Sequence, residues 1–116
     1  MGLDTTHNAW HGPYSSFNRF RYGIAAEIGV DLDEYIGYGH DGTKNLEDIK
    51  HDIMPLLNHS DCDGFISPLD CLYIAAGLTK IEQNLSESRS DLRSDIIQFR
   101  DGCLEAFMQQ ENLEFH

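Results

Sequence analysis

Residues 67–85 read SPLDCLYIAAGLTKIEQNL, and this stretch decides the fold. Ser67 is a strong helix cap, Pro68 suits the first helical position, and Asp70 stands where a carboxylate can reach back to the cap. Cys71, Ile74, Ala75, Leu78, Ile81 and Leu85 then recur at helical spacing for about four turns. Downstream, the polar run Ser86–Ser90 interrupts the pattern. Leu92, Ile96, Phe99, Cys103 and Phe107 resume it, predicting a helix that starts after Ser88 or Ser90, carries Gly102 as a tolerated weakness, and ends near Gln110.

Upstream, Pro13 at a helix start, Tyr14, Phe17, Ile24 and Ile28 at helical spacing, and Gly29 as a stop predict a helix near 13–28. Residues 29–45, with Gly29, Gly37, Gly39 and Gly42 among tyrosines and acids, read as a long loop with one turn around Leu32–Tyr35. Asn45 then caps a short helix with the stripe Leu46, Ile49, Ile53 and Leu56/Leu57, kinked or ended by Pro55. Met1 and Leu3, like Leu113 and Phe115, alternate with polar residues, so the termini are expected to add a short strand pair or to tuck apolar side chains into the core. The expectation is a mainly α, compact four-helix domain spanning 1–116. Its second and third helices should lie antiparallel around the 58–67 turn, with the fourth packed across them.

The chain has 116 residues, 41% hydrophobic and 24% charged, enough for one core without disulfides or metal. Its formal charge is −12, and residues 31–70 hold ten acids against only Lys44 and Lys50. Phosphate neutralisation supplies most non-specific nucleic-acid affinity, so duplex nucleic acid and anionic membranes are poor partners for this chain. Cys62, Cys71 and Cys103 are odd in number and form no CxxC pair, which favours free thiols in a reducing compartment. No stretch has the length of an apolar membrane span, and the first residues lack the pattern of a secretory signal.

Three constellations carry candidate chemistry. Residues 59–70, HSDCDGFISPLD, align with an EF-hand calcium loop: His59 at position 1, Asp61 at 3, Asp63 at 5, Gly64 at the tight turn and Asp70 at 12. A histidine at position 1 and an aspartate at position 12 depart from the pattern. The other reading is a plain turn, with Asx-type bonds from Asp61 and Asp63, positive φ at Gly64 and a cap from Ser67. Second, His7 and His11 would share a face if they were helical, with His59, Cys62 or His40 as a third zinc ligand, but Gly12 and Pro13 argue against a helix there. Third, Trp10, His11, Arg19, Phe20 and Arg21 are left over once Tyr14 and Phe17 join the core stripe. Stacking aromatics beside guanidinium groups suit a nucleotide-like ligand. No nucleophile elbow, phosphate loop, dinucleotide fingerprint or HExxH motif is present, which leans away from an enzyme.

Four blocks together, MGLDTTHNAWHG (1–12), YSSFNRFR (14–21), LLNHSDCDG (56–64) and ENLEFH (111–116), resemble a family of small uncharacterised proteins encoded by bacteriophages and prophages. The resemblance implies expression in the cytoplasm of a bacterial host and transfers no site residue. Small acidic phage proteins often occupy a host protein or capture a host signal. The expected function is therefore a non-catalytic binding protein that antagonises a host system by sequestering a nucleotide-like signal or a host protein, through Trp10, His11, Arg19, Phe20 and Arg21. The alternatives are an EF-hand-like module taking a divalent cation (calcium or magnesium before zinc) on His59, Asp61, Asp63 and Asp70, and a metal-dependent hydrolase using His7, His11 and His59. A homo-oligomer is compatible with all three. Each mechanistic reading expects 59–70 and Trp10–Arg21 to converge on one hollow.

Overall fold

The Ser67 and Gly29 signals act where the sequence puts them, whereas Asn45, expected to cap a helix, makes no side-chain cap bond and leads only into a 3-10 turn. In the computed structural model, which describes residues 2–37, 40–59 and 63–116 (backbone alone for 36, 37, 40 and 41), the chain is mainly helical. Strand β1 (Gly2–Asp4) pairs antiparallel with β2 (His11–Pro13), and α1 (Tyr14–Glu27) follows directly. Pro13 caps α1 in extended conformation, one residue earlier than expected for an N1 proline. At its other end Gly29 has φ +77°, and Val30 N–H reaches back to the Ala25 carbonyl (2.9 Å), the bond that closes a left-handed helix stop.

The segment expected to be a long loop is instead ordered into short strands after a 3-10 turn at Leu32–Glu34: β3 (Tyr35–Gly37), β4 (His40–Asp41) and β5 (Lys44–Asn45), in the order β4-β3-β5. Gly42 makes this fold-back feasible. A side chain there would run into the Glu34 and Tyr35 backbone, and its N–H instead donates to the Tyr35 carbonyl (3.0 Å). The second expected helix shrinks to a 3-10 turn at Leu46–Asp48 and the single turn α2 (Met54–Leu57), because Pro55 forbids helical bonds upstream of it.

Strand β6 (Phe65–Ile66) leads into α3 (Pro68–Gln83), where Ser67 Oγ accepts from Asp70 N–H (3.2 Å) as its sequence signal requires. A turn at Glu87–Arg89 joins α3 to α4 (Ser90–Gln109). Arg100 pairs with Glu82 (3.0 Å) near this turn, while the Cys71 and Cys103 thiols meet farther along. The two long helices therefore form an antiparallel hairpin, and α4 packs chiefly on α3. Strand β7 (Leu113–Glu114) pairs with β6, and the termini meet through a Thr5–Phe115 bridge and the His116 N–H to Asp4 carbonyl bond (2.8 Å).

The core is one apolar cluster running from Leu3 to Phe115. Cys71 and Cys103 are free and buried within it. The hydrogen bond with Cys71, and secondarily burial, push the Cys103 thiol up. Among the described residues no helix is long and apolar enough to cross a membrane.

Candidate functional site

Helix α1 turns one face, Ser16, Arg19, Phe20 and Gly23, toward the first turns of α4, where Asp91, Leu92, Ser94 and Asp95 face back. Gly23 lets the helices approach, since a Cβ there would sit 3.1 Å from Leu92. Between them lies an open hollow of about 570 Å³, lined also by Trp10, residues 11–13 and Arg89. This lies within the size range of small-ligand pockets.

The short N-terminal turn places two of these residues by local strain. His7 (φ 60°) and Asn8 (φ 57°) occupy the left-handed region, a conformation costing about 1–3 kcal/mol per residue when no glycine is present. Hydrogen bonds hold it: His7 Nε2 to Glu111 (2.8 Å), His7 Nδ1 to Thr6 Oγ1 (2.8 Å), and Gln98 Nε2 to the Asn8 carbonyl (3.1 Å). The turn drives Trp10 inward, where it stacks on Phe20 at 5.2 Å. It also leaves His11 at the rim between Asp4 (2.9 Å) and Asn8 (2.6 Å).

Of the five residues expected to form the ligand patch, Trp10, His11, Arg19 and Phe20 line the hollow. Arg21 does not. It is 1% exposed on the opposite face of α1, with Nη2 donating to the Leu57 carbonyl (2.6 Å) and its guanidinium 5.8 Å from the Phe17 ring centre. Trp10 and Phe20 are core rings that show the hollow only a sliver of surface. The indole Nε1 is buried without a hydrogen-bond partner among the described residues, a state costing about 1–3 kcal/mol, and it lies beside Gly12 in the hollow's wall.

Charge in the hollow is mixed. Arg19 is exposed and makes no ion pair among the described residues, whereas Arg89 pairs with Glu27 (3.1 Å). Burial, and secondarily Asp91, raise the Asp95 carboxyl above its ordinary range, against the pull of Arg19. Asp95 thus holds its proton more tightly folded than unfolded, so stability falls as pH rises from the ordinary aspartate value of about 4 through the raised one. Asp95→Asn is expected to melt higher than the parent at neutral pH and to lose that advantage in acid. A constant difference across the pH range, or a lower melting temperature at neutral pH, would contradict this placement.

No protein-family model, curated protein or solved structure matches this chain. The functional reading therefore rests on the residues themselves. The sequence alone does not single out Ser16, Ser94, Asp91, Asp95 and Arg89, because four are polar residues on helix faces and Arg89 ends a turn, and only the α1–α4 crossing brings them together.

The other constellations fare differently. Gly64 has φ +88° and Ser67 caps α3, as the plain-turn reading expects. His59 Nε2 donates to the Phe65 carbonyl (3.0 Å), and its ring lies 4.2 Å from that of Phe115, so that nitrogen serves the turn and the C-terminal strand. Asp63 is exposed and Asp70 half-buried; Asp61, Cys62 and the side chain of His40 lie outside what is described. His7 and His11 share no helix face, since one lies in the strained turn and the other in β2. Among the described residues, no group of three or more His, Cys, Asp or Glu is placed to hold a metal ion. The expected convergence on one hollow also fails. Of the described residues in 59–70, His59, Phe65, Ile66 and Asp70 line a second, smaller hollow with Met54, Pro55 and Asn58, and the two hollows share none of their lining residues.

Proposed function

We propose that this chain is a non-catalytic binding protein whose α1–α4 hollow captures a small nucleotide-like molecule. In the phage or prophage setting suggested by its sequence, sequestering such a signal would antagonise a host system. The observation that carries the reading is the lining itself. Arg19, which makes no ion pair among the described residues, offers a guanidinium for an anionic group, Asp91 and Asp95 offer acceptors, and Ser16 and Ser94 offer hydroxyls. A ligand satisfying both signs of charge needs an anionic group and, set apart from it, hydrogen-bond donors, which a nucleotide carries on its phosphate and on its base or ribose.

Trp10 is the only tryptophan and stands in the hollow's wall, so its fluorescence is the probe for changes there. Titration with cyclic nucleotides and ADP-ribose derivatives is expected to change its emission saturably and to raise the melting temperature. Arg19→Ala should weaken binding by about tenfold or more, the loss of one charge-assisted contact. Silence in fluorescence, calorimetry and melting across these compounds would remove the reading.

A further inference from the structure

Helix α3 is apolar on more than its buried side. From Leu69 to Leu78 its only charged residue is Asp70. Cys71, Ile74, Ala75, Gly77 and Leu78 fill the inner face, yet Leu69 (55% exposed), Tyr73 (48%) and Ala76 stand on the outer one. Their spacing of four and then three residues is that of a helix-packing seam. A helix that is apolar all round is ordinarily covered on both sides. Phe65 (58% exposed) extends the ridge onto β6 and borders the second hollow, of about 330 Å³, walled by Met54, Pro55, Ile66 and Asp70.

Charge decides which partner. Asp63 lies two residues before Phe65, Glu114 lies opposite Phe65 in the β6–β7 register, and Asp70 lines the hollow. None of the three has an ion-pair partner among the described residues, while Lys80, at the far end of the seam, is held by Asp52 (3.3 Å). A second copy would bring another −12 of charge to this rim, and an anionic membrane would be repelled. We infer that the Phe65–Leu69–Tyr73 ridge is a docking surface for an amphipathic basic helix of another protein, its apolar residues on the ridge and in the hollow, its lysines or arginines against Asp63, Asp70 and Glu114.

The probe is a synthetic helical peptide of about 18 residues, built of leucine and lysine with leucine on one face. A control of identical composition has its leucines scrambled off that face. Backbone-amide NMR of the intact chain should show shifts confined to 54–59, 63–76 and 113–115. The ordered peptide should bind about tenfold more tightly than the scrambled one. Leu69→Ser with Tyr73→Ser should abolish that preference while leaving the melting temperature unchanged, because both side chains are already exposed. Equal affinity for the two peptides, shifts spread over the whole acidic surface, or an unchanged preference in the variant would overturn the inference. So would a self-association seen by sedimentation and lost in the same variant.

Discussion

Arg21→Ala is expected to destabilise the chain by about 3–5 kcal/mol, read as a lower urea midpoint. Arg21 is among the largest fully buried side chains, and its Nη2 satisfies the Leu57 carbonyl at the end of α2. Removing it leaves a cavity the size of a long side chain and a buried acceptor without this donor, the two largest contributions to core-mutation losses. Arg21→Met is the informative control. It keeps most of the volume and apolar contact with Phe17 while discarding the charge, so its loss should be clearly smaller. If both variants unfold with the parent, the arginine contributes nothing to holding α2 against α1.

Gly102→Ala is expected to cost about 1–3 kcal/mol, although alanine at an unhindered mid-helix position gains about 1 kcal/mol over glycine. The reversal follows from position. A Cβ at 102 would lie 2.5 Å from the Ala9 Cβ and 2.8 Å from the Ala9 Cα, and Ala9 is fully buried. Because the neighbour is backbone, it can yield only by shifting the strained His7–Asn8 turn that sets Trp10 and His11 at the hollow. The variant should therefore both melt lower and shift the Trp10 emission maximum. A higher melting temperature with unchanged emission would show that the turn does not press on α4. The glycine that reads in sequence as a tolerated weakness is what lets the N-terminal segment dock.

The gap between expectation and structure at α1 has a physical origin. Phe17, Phe20, Arg21, Ile24 and Ala25 follow the helical core spacing closely, but an arginine in the middle reads as polar, which splits the stripe and frees Phe20 and Arg21 for a surface patch that only Arg19 and His11 occupy as exposed residues. The small sheet at 35–45 was hidden for a related reason. Its strands are two or three residues long, too short to express a period of two, and they depend on Gly42 meeting a backbone seven to eight positions earlier.

By itself the sequence determined what short-range chemistry controls: the mainly helical class, the Ser67 cap and Pro68 start of α3, the glycine stop after α1 and the positive φ at Gly64. Only the tertiary structure decided which polar residues share a hollow, that Arg21 is core, that His59 serves the C-terminal strand, and that the outer face of α3 is left bare. Caps, periods and turns are settled within a few residues of chain. The hollow's lining joins residues 10–23 to 89–95, and no local pattern records a contact made across such a separation.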